Sequence, residues 1–359
     1  MKAAVCREFG KPLQIEEIEI ADPGPGEIKV KLAACAICHS DIHYMEGAWG
    51  GDLPAVYGHE AAGVVEAIGP GVAGMKRGDH VVVTLIRSCG HCHYCSQGLP
   101  VHCDTKFLLD SRSPLKAKDG SPIVHGLYTA AFAEYCVVDN SQAVVIPDDL
   151  PLDRASLLAC GVITGFGAVT NTANIPASAN VVVIGTGGVG LNSIQAAAIR
   201  GARTVIAVDL SDAKLAAAKR FGATHGVNPS RDDARKAIKA LTGGRGADYA
   251  FVTVGAKAAI EQAFTFIAKA GTLVVVGMPA DDVTTTFAPT TFAAAGRKML
   301  GSKMGSARLP VDMPLLVSLY KQGRLKLDEL ISGRYPLEQI NEAIAGVTRG
   351  DALRNVIVF

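Results

Sequence analysis

Residues 181–209 leave the backbone few choices. Four apolar residues at 181–184 run into Gly185-Thr186-Gly187-Gly188-Val189-Gly190, then into an alanine-rich stretch over 191–200 and a second apolar run over 204–208 that stops at Asp209. Strand, glycine turn, helix and strand in that order make a βαβ unit with G-x-G-x-x-G at its first turn. In such a turn Gly185 allows the tight bend, Gly187 lets the backbone approach a pyrophosphate, and Gly190 lets the helix lie close to the strand; Gly188 and Val189 complete it. Asp209 falls where a carboxylate accepts hydrogen bonds from adenosine ribose hydroxyls and repels a 2′-phosphate, so the pattern favours NAD over NADP. In a chain with 39 glycines the turn alone would mean little. The strand before it, the helix after it and the acid beyond it give it weight.

With 359 residues the chain has room for about two domains with sizeable cores. Lys and Arg number 35 against 34 Asp and Glu, a balance that argues against a nucleic-acid or membrane-surface partner. The opening MKAAVCREFGKPLQIEE puts charges and a proline where an export signal needs an apolar core, and no stretch reads as a membrane span. A soluble cytoplasmic protein is expected. In that compartment nine cysteines are metal ligands or buried thiols rather than disulfides.

The pattern changes along the chain divide it in three. Residues 1–160 are β-rich: short apolar runs over 28–32, 62–68 and 80–84 alternate with turn signals at Pro23-Gly24-Pro25-Gly26, Gly69-Pro70-Gly71 and Arg77-Gly78-Asp79. From 161 to 300 strands alternate with helices. Helices are predicted over 211–220, 231–242 and 257–268 and strands over 225–227, 248–254 and 271–276, which together with the βαβ unit give a doubly wound parallel sheet. The sheet is then complete, so residues 301–359, with helices over 313–322 and 337–347 and a strand over 355–359, return to the first domain.

Two sets of metal-ligating residues stand out. Cys89, Cys92, Cys95 and Cys103 follow C-x2-C-x2-C-x7-C on a segment bent by Gly90, Gly98 and Pro100. Four thiolates on one short lobe close a tetrahedral zinc site and leave no position for a substrate, which makes it structural. An iron-sulfur run would bring its fourth cysteine after three residues and follow it with proline; here the gap is seven and Asp104 follows. His91, His93 and His102 nearby read as surface residues. The second set is dispersed: Cys38 in Cys38-His39-Ser40-Asp41-Ile42-His43, His59 in Gly58-His59-Glu60, and Cys160 before Gly161. Two thiolates and an imidazole leave a fourth zinc position open for water or an alcohol oxygen. Cys35, which makes a C-x-x-C with Cys38, reads as a core thiol, as do Cys6 and Cys136.

Taken together, these motifs resemble the zinc-dependent medium-chain alcohol dehydrogenase family over essentially the whole chain. The resemblance rests on the cysteine lobe, Gly58-His59-Glu60 followed by Ala61-Ala62-Gly63, Cys160-Gly161 with Thr164-Gly165, and the 185–190 turn, all in the family's order. It implies a Rossmann-type NAD domain inserted into a GroES-like catalytic domain, one catalytic and one structural zinc per subunit, and a homodimer, with a tetramer as the alternative. By position it implies that Cys38, His59 and Cys160 hold the catalytic zinc, with Asp41 and Glu60 behind them. Ser40 would take the alcohol proton and His43 would pass it on. His39 and Arg354 would meet the pyrophosphate, Asp209 and Lys214 the adenosine ribose, and Thr164, Val189, Val276 and Met278 the nicotinamide.

The expected substrate is a primary alcohol with an apolar or aromatic group, oxidised reversibly to the aldehyde. Trp49, Leu85 and Met278 would line its pocket with no fixed cation, and the long segment over 107–125 would form part of the rim. The alternative is a thiol-dependent formaldehyde dehydrogenase. Glutathione-dependent relatives carry Asp near the place of Trp49 and Arg near that of Phe107, so an adduct of another thiol is the form left open, with Arg112, Lys116 and Lys118 as the cations to examine.

Overall fold

The computed structural model describes residues 1–359, which form two units. The first comprises Met1–Gly161, Arg308–Gln322 and Leu327–Phe359; the second comprises Val162–Ala307 and Gly323–Lys326.

The first unit is built on two sheets. The larger has strand order Ala143–Val145, His80–Val83, Glu60–Ile68, Glu27–Ala36, Arg354–Val358 and Ile331–Pro336, with Tyr135–Asp139 also paired to Glu27–Ala36. The C-terminal strand runs antiparallel to Glu27–Ala36 in a register that sets Ile357 opposite Cys35, so the end of the chain completes a sheet begun near its start. Alternate residues of these strands, Ile28, Val30, Val65, Val81 and Val83 among them, supply one continuous apolar core in which Cys6, Cys35 and Cys136 are buried thiols. The second sheet includes Leu115–Lys116 and Pro122–His125. The 107–125 segment is therefore not the open loop expected from sequence. Strands of two and four residues are too short to leave a period in the sequence.

The second unit is a six-stranded parallel sheet in the order His225–Val227, Thr204–Val208, Asn180–Ile184, Ala247–Val252, Ile267–Val275 and Lys298–Gly301. This is the doubly wound α/β arrangement. Its inner strands are buried on both faces, which is why they read as unbroken apolar runs rather than alternating ones. Sequence reading closes this sheet one strand early. Lys298–Gly301 lies at the sheet edge with mostly exposed residues, so it carries no apolar run to announce it.

The change of unit at Gly161 falls inside a continuous helical run, Leu152–Thr172. The run is 21 residues long, and its most apolar 18-residue window has a mean hydropathy of 1.4, enough to pass for a membrane span by length and composition alone. Its most apolar window is 83% buried in the protein, so packing accounts for its composition.

Candidate functional site

Asp41 organises the buried cluster. Cys38 caps the helix His39–Met45, and Asp41 in the first turn accepts from the Cys38 backbone N–H through Oδ2 at 3.0 Å. Its other oxygen accepts from Gly58 N at 3.0 Å and lies 2.9 Å from His59 Nδ1. One carboxylate thus fixes the backbone of one ligand and the ring of another. With Nδ1 bonded to Asp41, His59 Nε2 is the ring atom left over for the cluster, and this buried atom has no hydrogen-bond partner. Cys160 arrives from the turn Leu158–Val162, wound as a π turn, an irregularity that re-aims side chains and recurs at functional sites.

The ligating atoms of Cys38, His59, Glu60 and Cys160 lie within 4.8 Å of one another, and all four residues are buried. Burial would disfavour a charged His59, but Asp41 and Cys38 beside it carry its pKa well above the ordinary value. Cys38 is held well below the usual thiol range by its hydrogen bond from Cys160, whose own thiol is pushed up by that same bond and by burial. Burial pushes the Glu60 carboxyl up to about 7 against the opposing pull of the Arg354 guanidinium. A low-pKa thiol, a second thiol, an orphaned imidazole nitrogen and a nearby carboxylate form a donor set suited to zinc.

Arg354, expected at a pyrophosphate, is engaged with the buried cluster. Its guanidinium is buried against Glu60 and donates to Oε2, because a cation in this interior needs an anion beside it. Glu60 Oε1 is left without a partner, within ligand reach of Cys38, His59 and Cys160.

The cysteine lobe is also assembled. Sγ atoms of Cys89, Cys92, Cys95 and Cys103 lie within 4.8 Å of one another. Backbone N–H groups point at the sulfurs: Cys92 N donates to Cys89 at 3.2 Å, Cys89 N to Cys103 at 3.4 Å and Cys95 N to Cys92 at 3.5 Å. Such bonds favour thiolates, the form a closed metal site requires. His91, His93 and His102 are exposed.

In the second unit the glycine turn follows the end of Asn180–Ile184 and opens the helix Gly188–Ile199. Gly185 has φ +86°, and a Cβ on Gly190 would collide with the Gly185 carbonyl oxygen. A Cβ on Gly187 would meet nothing within 4 Å, so the backbone there faces open space in which a phosphate could lie. Asp209 is held in place: Oδ2 accepts from Thr186 N at 2.8 Å and Oγ1 at 2.9 Å, and Oδ1 from Ser211 N at 2.9 Å. Lys214 follows in the first turn of the helix capped by Ser211. Thr164 and Val276 are buried, and Met278 is 60% exposed.

Residues 24–148 match the family described as the alcohol dehydrogenase GroES-like domain, and residues 188–321 that described as zinc-binding dehydrogenase. An NDMA-dependent alcohol dehydrogenase from Amycolatopsis methanolica is 38% identical, with 99% of this chain and 98% of the relative covered. An alcohol dehydrogenase zinc-binding domain protein from Burkholderia ambifaria has a solved structure with TM-score 0.95 and 36% identity, covering 100% of this chain and 98% of that one. For benzyl alcohol dehydrogenase from Acinetobacter calcoaceticus the TM-score is 0.93 at 31% identity, with 100% and 99% covered. The chain belongs to the zinc-dependent medium-chain alcohol dehydrogenase family.

Two features of this alcohol dehydrogenase were not visible in its sequence. Trp49 packs at 4.9 Å from the His43 ring and 5.3 Å from Tyr44, which stacks on Tyr57. Arg87, two positions past Leu85, lies over the rings of Phe107 and Tyr128 and pairs with Asp110 at 2.7 Å. This side of the first unit does carry a fixed cation, already neutralised. The other cations singled out on the 107–125 segment include two that are also engaged: Arg112 with the buried Glu27 and Lys118 with Glu17.

Proposed function

We propose that this alcohol dehydrogenase oxidises primary alcohols bearing apolar or aromatic groups to aldehydes, reversibly and with NAD. One zinc would be held by Cys38, His59 and Cys160 and a second by the four-cysteine lobe. The observation that carries the reading is the orphaned His59 Nε2, buried among two thiols and a carboxylate that its own Asp41 bond does not satisfy. The chemistry supplied there is Lewis acidity that draws an alcohol pKa toward neutrality, with a nicotinamide ring as hydride acceptor.

The chain's own residues supply the rest. Asp41 keeps His59 in the tautomer that presents Nε2, and Glu60 with Arg354 balances charge behind the thiolates. Ser40 and His43 are three residues apart on one short helix and so share a face; Ser40 accepts the alcohol proton and His43 passes it outward. His39 is exposed beside them and would meet a cofactor phosphate. On the second unit, Thr186 and Ser211 orient Asp209 toward ribose hydroxyls, and Gly187 admits the pyrophosphate.

The aromatic group of Trp49, Tyr44 and Tyr57 with Leu85 supports an apolar substrate, and one relative is named a benzyl alcohol dehydrogenase. Arg112 and Lys118 are already occupied by carboxylates, which weighs against the thiol-adduct alternative. Homo-oligomeric assembly and a cytoplasmic setting belong to the same proposal. The test is a screen of short aliphatic, aromatic and S-hydroxymethyl-thiol substrates with NAD and with NADP, alongside zinc analysis. Expected are two zincs per chain, aromatic and aliphatic primary alcohols as substrates, and little use of NADP. Formaldehyde oxidation that requires an added thiol, with simple alcohols ignored, would overturn the substrate reading.

A further inference from the structure

A cavity of about 700 Å³ opens in the second unit away from the glycine turn. Every strand of the sheet runs in one direction, and the turn follows the finishing end of Asn180–Ile184. The cavity draws instead on starting ends. Gly244 and Arg245 precede the strand Ala247–Val252, Ile267 and Lys269 begin Ile267–Val275, and Arg297 precedes Lys298–Gly301. It therefore lies at the opposite rim of the sheet from the dinucleotide turn.

Its lining is unbalanced in charge. Arg235, Lys239, Arg245, Lys269 and Arg297 all contribute, and none is paired with a carboxylate. The two carboxylates of the lining, Asp248 and Glu261, are engaged by other groups. Asp248 Oδ2 accepts from Asn180 N at 2.7 Å and Nδ2 at 3.1 Å, and Glu261 Oε1 accepts from Thr286 N at 3.1 Å and faces Lys257. Arg297 is fixed by donating from Nη2 to the Ile267 carbonyl at 2.8 Å and from Nε to that of Ala268 at 3.4 Å. Burial and the neighbouring Arg235 both lower its pKa, the mark of cations held together without a counter-charge. Arg235 and Lys239, four residues apart on the helix Ala234–Leu241, present a second pair of charges on one face.

The other wall is aromatic. Phe264 and Phe287 stack at 5.7 Å, Phe292 meets Phe287 at 5.3 Å, and Phe287 is 46% exposed. Gly244, also in the lining, sits in a left-handed turn with open space beside it, where backbone can approach an anion. A fixed arginine, several unpaired cations and a half-exposed ring platform match a ligand with several negative charges at one end and a flat ring at the other.

We propose that this cavity binds an organic polyphosphate with an aromatic ring, of the nucleoside triphosphate class, at a site separate from the dinucleotide turn. The probe is ATP, titrated by calorimetry into zinc-loaded protein already saturated with NAD. One ATP per chain is expected, with affinity falling as salt rises. The double variant Arg235→Glu/Lys239→Glu should weaken ATP at least about tenfold and leave alcohol oxidation without ATP unchanged. Inorganic tripolyphosphate should bind about tenfold more weakly than ATP, and Phe287→Ala should remove that difference, since a base stacked on a ring adds to affinity. Failure to detect binding at about 1 mM ATP, competition between ATP and NAD, or unaltered affinity in the double variant would each overturn the site. Tripolyphosphate binding as tightly as ATP would overturn the ring's part in it.

Discussion

Cys89, Cys92, Cys95 and Cys103 stand close together in the chain, each part-exposed, on a segment whose short helix His93–Ser96 buries none of its residues. Cys38, His59, Glu60 and Cys160 come from a helix cap, the start of a strand and a π turn, and all are buried in the same unit. The lobe has almost no apolar core of its own, so its shape depends on what joins the four sulfurs. The dispersed cluster is shaped by strands and helices that pack without it. With zinc in both clusters as proposed, the contrast teaches that a metal would hold up the fold in one place and be held by the fold in another, within a single unit.

Serine replacements break the comparison most directly. Cys160→Ser should cost at least about 10³-fold in alcohol oxidation, the scale of a lost Lewis acid worth several kcal/mol, with the melting temperature little changed. Cys92→Ser should instead lower the melting temperature and the soluble yield, and each variant should retain about one zinc by metal analysis. If both variants lost activity and stability alike, the two clusters would not differ in kind.

Asp41→Asn tests how far the buried cluster is prebuilt. An amide cannot serve the Cys38 N–H, the Gly58 N–H and the imidazole as an anion does, so zinc affinity or activity should fall about 10- to 100-fold. The lobe's zinc should be unaffected, read as the fraction that resists mild chelation. His43→Gln should have a smaller effect, slowing oxidation about tenfold with zinc content intact, as expected of a group that moves a proton and holds no metal. Unchanged steady-state rates would assign His43 to packing against Trp49 alone.

The smallest effect separates acid loss of metal from acid loss of fold. Both clusters would release zinc as their ligands protonate. His125, outside both, is pushed down to about 4 by burial. As pH falls below the ordinary histidine range the unfolded chain takes up a proton that folded His125 refuses, so its contribution is full above about 6.5 and is lost toward 4. His125→Phe should flatten the stability profile over that window in chemical denaturation, while leaving the pH at which zinc is released where it was.

What could be read in advance was whatever is local in the chain. The βαβ unit and the cysteine spacing are written in consecutive residues, and the strand at 204–208 is placed by its own apolar run. The pairing of Glu60 with Arg354 joins residues 294 apart and has no local mark, so Arg354 could be assigned only by likeness. The same holds for Arg87, whose partners Phe107, Asp110 and Tyr128 converge from separate turns. The edge strand Lys298–Gly301 was illegible for the opposite reason: it buries too little to need an apolar sequence.

Asp209 has a consequence for how this protein could change its cofactor. Each of its oxygens is already occupied, one by Thr186 of the glycine turn and one by Ser211 at the cap of the next helix. The side chain proposed to discriminate between nucleotides is therefore also a tie between two loops. Retuning that choice by one substitution would loosen the surface on which either nucleotide must lie. A successful switch would have to rebuild the tie at Thr186 and Ser211 at the same time, which makes cofactor preference here an inherited property of a small network rather than of one residue.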